Sequence, residues 1–87
     1  MNINILDNDA RRIAEIDRNI NLALRELKIY ALVTSNSEPP SLEREGLIGK
    51  VPVLQIADKY WSIPEKRAFT KQECITLLTR ILKAGIR

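Results

Sequence analysis

The stretch Leu6–Asp17, LDNDARRIAEID, sets the architecture of this chain. It follows INIL (Ile3–Leu6), where apolar and polar residues alternate as they do in a half-buried strand. Asp7, Asn8 and Asp9 then interrupt the pattern. Their short oxygen-bearing side chains suit the cap of a helix, where they accept the unpaired N–H groups of the first turn and complement the positive end of the helix dipole. Beyond them, Ala10, Ile13, Ile16, Ile20, Ala23, Leu24 and Leu27 recur at steps of three and four, which predicts a long amphipathic helix over Ala10–Leu27. Its other side carries Arg11, Arg12, Glu15, Arg18, Asn19, Asn21, Arg25 and Glu26, with Arg11–Glu15 and Glu15–Arg18 spaced for pairing.

Reading outward from this junction, IYALV (Ile29–Val33) is a nearly continuous apolar run, which predicts a strand covered on both faces. TSNSEPPS reads as a loop, with Pro39 and Pro40 opposing regular pairing. Ser41, Glu43 and Gly46 predict one short helix. VPVLQI (Val51–Ile56) and YWSI (Tyr60–Ile63) predict two strands joined as a hairpin through Ala57–Lys59. Thr70 caps a last helix that runs to about Lys83, with Gly85 just past its end. The expected order is β-α-β-α-β-β-α over a single domain, residues 1–87. A strand, crossover helix and strand predict a parallel pair and the hairpin adds antiparallel neighbours. The fold class expected is therefore α/β, a four-stranded mixed sheet with helices on its faces.

Composition limits the chemistry. Of 87 residues, 45% are hydrophobic and 29% charged, a balance that supports one packed core. The chain has one cysteine, Cys74, and no histidine, which removes an internal disulfide, histidine-based catalysis and zinc clusters. One lone thiol fits a reducing compartment, the opening residues MNINILDNDARR do not read as a signal peptide, and no apolar run nears the roughly 20 residues that span a bilayer. A cytoplasmic protein off the membrane is expected. The net charge of +3 is modest, and Arg11, Arg12 and Arg44 sit among acids. The basic residues of the last third, Lys66, Arg67, Lys71, Arg80, Lys83 and Arg87, hint at an acidic partner, yet nowhere form the dense patch of a nucleic-acid footprint.

Three stretches carry a resemblance. MNINILDNDARRI, GLIGKVPVL and RAFTKQECITLLTRIL resemble the opening strand and turn, the cis-proline segment and the closing helix of small thioredoxin-like, glutaredoxin-sized "redox-active disulfide" proteins. The likeness covers about residues 1–84. It implies a thioredoxin-like fold, with Ala10 and Ile13 in the two slots of a Cys-x-x-Cys motif and Pro52 as the cis-proline. Thiol–disulfide exchange needs a thiolate that attacks and a second thiol that resolves the mixed disulfide. Ala10 and Ile13 supply neither, and both also fit the apolar stripe of the first helix.

The expected function is a redox-inactive thioredoxin-like module that binds a protein or peptide, without enzymatic activity, cofactor or metal. Asp9, Arg11, Arg12, Lys50, Val51 and Pro52 are its candidate contact surface. The alternative is a monothiol disulfide-exchange protein using Cys74. That thiol falls in line with Leu77, Leu78 and Ile81, on the core side of the last helix, although Arg67 and Lys71 stand near enough in sequence to activate an exposed thiol. Asp7, Asn8 and Asp9 are oxygen ligands in type, but capping explains them better than a cation site. Alternation sends Tyr60 and Trp61 to opposite faces, one of them against the last helix. Lys59, Pro64 and Lys66 guard that strand's edge, which predicts a monomer.

Overall fold

The computed structural model describes residues 1–37, 46, 50–57, 59–63 and 65–85. Among them lie β1 (Asn2–Leu6), α1 (Ala10–Leu27), β2 (Leu32–Asn36), β3 (Val53–Ile56), β4 (Lys59–Ser62) and α2 (Lys71–Lys83). The short helix expected around Ser41–Glu45, with Pro39, Pro40, Asp58 and Pro64, falls outside the described residues. The strands form one mixed sheet in the order β2-β1-β3-β4. β1 runs parallel to β2 and antiparallel to β3, and β3–β4 is the expected hairpin.

Both helices share one face of this sheet. Ile3 and Ile5 from β1 and Leu54 and Ile56 from β3 project to that side. They join Ile16, Ile20, Ala23 and Leu24 of α1 and Cys74, Leu77, Leu78 and Ile81 of α2 in one buried cluster. Burying such aliphatic side chains stabilises by about 1.5–3 kcal/mol each. The opposite face is mixed: Leu6, Val51 and Val53 form a small apolar cluster, while Thr34 donates to Asn4 Oδ1 (3.2 Å) and Asn4 donates to Gln55 Oε1 (3.5 Å).

The helices end where local chemistry dictates. Asp9 caps α1, accepting from the N–H groups of Arg11 and Arg12. Lys28 closes it in the left-handed conformation (φ 57°), and the Ile29 N–H reaches back to the Leu24 carbonyl at 2.9 Å. A reciprocal capping box between Thr70 and Glu73 opens α2. The surface pairs Arg11–Glu15 and Glu15–Arg18 are absent from the ion pairs formed among the described residues.

The second strand departs from the sequence expectation. It spans Leu32–Asn36, three residues beyond the predicted Ile29–Val33, and is an edge strand instead of one buried on both faces. Its apolar forerunners serve the connection: Ile29 and Ala31 pack against the core while the chain crosses back from α1. Pairing starts only where the Leu32 N–H meets the Met1 carbonyl at 3.0 Å. Tyr30 is left 95% exposed and Leu32 61%. Polar Thr34, Ser35 and Asn36 are tolerated in the strand because an edge position leaves solvent beside them.

Candidate functional site

The junction after β1 is built around a buried charge. Asp7 is fully buried, since β1 is an inner strand flanked by β2 and β3. Its N–H donates to the Asn36 carbonyl at 3.3 Å. Its carboxylate accepts from the Asn8 N–H at 2.7 Å and from Arg12 Nε and Nη2. A fully desolvated carboxylate requires such a counter-charge, and Arg12 meets it from the first turn of α1. The same guanidinium donates through Nη1 to the Lys66 carbonyl at 3.3 Å, tying the turn to the segment before α2. The hydrogen bond to Asp7 is the chief cause of a raised Arg12 pKa.

This corrects the sequence reading of Asp7, which is the anion of a buried ion pair and not a cap. Asp9 alone caps. The two carboxylates are thereby spent on different tasks, and no group of acids or sulfur ligands placed to hold a metal exists among the described residues. The signal for the pair was an acid directly after an apolar strand with an arginine five residues on, inside the helix it leads into.

Strand register brings the second half of the candidate surface to the same place. Leu6 pairs with Val53, so continuing that ladder sets Asp7 opposite Pro52 and Asn8 opposite Val51. The Val51–Pro52 peptide bond is cis. Val51 is buried with Leu6 and Val53, and the Pro52 side chain is fully buried. Of the six candidate contact residues, Asp9, Arg11 and Lys50 are exposed, Arg12 is half-buried and held by Asp7, and Val51 and Pro52 offer little side-chain surface.

Ala10 and Ile13 differ from one another. Ala10, expected on the buried stripe of α1, is exposed at the helix's first residue, whereas Ile13 is half-buried and packs against the core. Both line a groove of ≈ 260 Å³ between α1 and β2, floored in part by Val33 and bordered by Asp17. Asp17 accepts a hydrogen bond from Asn21 at 3.2 Å. Sequence reasoning missed this groove because the register of β2 decides which residues face α1.

Cys74 is 1% exposed and surrounded by Ile3, Ile20, Leu54, Ile56, Leu77 and Leu78. Burial pushes its thiol up to about 12, with the Glu73 charge adding to the effect. The cations near it in sequence, Arg67 and Lys71, are engaged elsewhere. Arg67 donates to both Glu73 oxygens at 2.7 and 3.0 Å, and Lys71 Nζ lies 3.1 Å from Glu26 Oε1. Glu73 is held down to about 2, first by Arg67 and then by the Thr70 backbone N–H. At the far edge of the sheet, Trp61 packs against the helix-side core and Tyr60 points to the other face, 42% exposed.

No helix among the described residues is long and apolar enough to cross a membrane. Comparison with protein-family models, curated proteins and solved structures found no match.

Proposed function

We propose that the chain is a monomeric thioredoxin-like domain without dithiol chemistry, and that it binds an extended segment of another protein beside the β1–α1 turn. The observation that carries this reading is the β1–β3 register. With Leu6 opposite Val53, the capped turn Asp9–Arg12 leaves β1 at the end where Lys50–Pro52 leads into β3, and these lie in two of the three stretches that carry the resemblance. The element order, with a parallel β1–β2 pair and a β3–β4 hairpin, supports the same reading. Ala10 exposed and Ile13 half-buried suit an attacking and a resolving position whose thiols are missing.

Val51 and Pro52 are buried as whole residues, so a partner would meet the exposed groups around them, above all the cations Arg11 and Lys50. The two cations favour acidic residues in the partner. Burial of Cys74 weighs against the monothiol alternative. The lone thiol is the ground for placing the protein in the cytoplasm.

The test is selection of linear peptides against the folded chain, followed by calorimetric titration of the winners. Acidic peptides should bind saturably, shift the amide signals of residues 9–12 and 50–53, and lose about tenfold in affinity on the double substitution Arg11→Glu/Lys50→Glu. Peptides that bind elsewhere, or whose affinity survives the charge reversal, would remove the proposed surface.

A further inference from the structure

A second groove lies at the opposite edge of the sheet, between β4 and α2, with a volume of ≈ 340 Å³. Trp61, Phe69 and Leu77 give it an apolar lining. Phe69 is anchored, since it is 3% exposed and its carbonyl accepts from Asn19 Nδ2 at 2.8 Å. Gln72, Thr76 and Arg80 follow at steps of four along α2, so one helix face presents a row of exposed polar groups beside that lining.

The charge balance of this groove is lopsided. Among the described residues it contains one acid, Glu73, and both oxygens of that carboxylate are occupied by Arg67, with the Thr70 N–H adding a third bond at 2.9 Å. The Arg80 side chain makes no ion pair or hydrogen bond among the described residues. Among the described residues the groove therefore offers one cation without an ion-pair partner, at the end of a hydrogen-bonding row and alongside aromatic and aliphatic surface. Its volume stands at the small end of the roughly 300–1,000 Å³ typical of small-molecule sites.

We propose that this groove binds a small free monocarboxylate with an apolar body, its carboxylate on Arg80 and its body against Trp61, Phe69 and Leu77. Thr76 and Gln72 add donors along the row. The proposal does not rest on the peptide reading, because that site lies at the ends of the inner strands β1 and β3, this groove lies beside the edge strand β4, and the two share no residue.

Trp61 is the single tryptophan of the chain, so it reports on this groove directly. The full chain is titrated with octanoate, and with octan-1-ol and octylamine as uncharged and cationic counterparts, following Trp61 fluorescence and amide shifts. Octanoate should bind saturably with shifts confined to β4 and the Gln72–Arg80 face, at least about tenfold more tightly than octan-1-ol. Arg80→Gln should abolish that preference with the urea midpoint unchanged, as expected of an exposed side chain. The proposal is overturned if octan-1-ol binds as well as octanoate, if Arg80→Gln leaves octanoate affinity intact, or if no saturable change occurs up to about 10 mM.

Discussion

Arg12→Met should be among the most damaging single substitutions at the β1–α1 turn. Asp7 is fully buried and Arg12 has 15% of its side chain exposed. Removing one partner of a buried ion pair typically costs about 3–5 kcal/mol, because the survivor is left charged and desolvated. Two features soften this here: Asp7 keeps the Asn8 N–H at 2.7 Å, and the vacated space opens toward solvent on Arg12's side. The expected cost is about 2–4 kcal/mol. An 87-residue domain has roughly 4–13 kcal/mol in total, so at the midpoints of the two ranges about a third of the stability is at stake.

Asp7→Leu combined with Arg12→Met should recover most of the loss and return to within about 1 kcal/mol of the parent. The cost of the pair lies in desolvation, which apolar side chains of similar volume avoid, and Asn8 is an exposed residue. Urea unfolding followed by far-ultraviolet circular dichroism measures Arg12→Met, Asp7→Leu alone and the double variant, with m expected to hold constant. The double-mutant cycle then gives the coupling energy. Arg12→Met costing less than about 1 kcal/mol, or costs that simply add in the double variant, would refute a buried Asp7 that depends on Arg12.

Three further outcomes are expected. Cys74, with its thiol pushed up to about 12, should stay unreactive toward a chromogenic disulfide between about pH 5 and 9 and react fully in denaturant, since the thiolate fraction near pH 8 is about 10⁻⁴; rapid native labelling would contradict its burial. Glu73 is held down to about 2 in the folded chain, so its contribution is complete above the unfolded carboxylate value and is lost as pH falls from about 5 toward 2. With that side chain one-third exposed, solvent screening limits the effect to about 1 kcal/mol, and Glu73→Gln should flatten this part of the stability–pH curve. Ala10→Cys combined with Ile13→Cys tests the resemblance itself: the thiol introduced at position 10, at the N-terminus of α1, should titrate below the free value of about 8.5, and an unshifted midpoint would argue that this turn is no redox-type junction.

The helices were legible because their information is local. The apolar steps from Ile13 to Leu27 and the cap at Asp9 suffice to bound α1, and Thr70 with Glu73 does the same for α2. The second strand was not. Nothing within IYALV says how many residues the chain needs to turn back from Lys28, so its hydrophobicity reads as strand interior when Ile29 and Ala31 are in fact packing in the connection. Strand register is set by partners far along the chain. The rule that a continuous apolar run is buried on both faces fails for a segment that becomes a sheet edge.

The same non-locality governs the site. Asp7, Asn8 and Asp9 are interchangeable as caps when read from sequence, and the choice falls to Asp9 because helical geometry begins at Ala10. Asp7 is then carried into the interior by β1, whose inner place in the sheet depends on both β2 and β3. A carboxylate in that position must find a cation, and the nearest on the inward side of the following helix is Arg12. The residue that sequence reasoning assigned to a contact surface is thus withdrawn from it by a demand arising at Asp7. Burial of Val51 and Pro52 withdraws two more. What remains exposed around the turn is Asp9, whose carboxylate is already committed to the helix, and the cations Arg11 and Lys50. The turn thus leaves two positive charges exposed, which is why charge reversal at Arg11 and Lys50, and not substitution of the buried proline, is the perturbation that tests the proposed recognition.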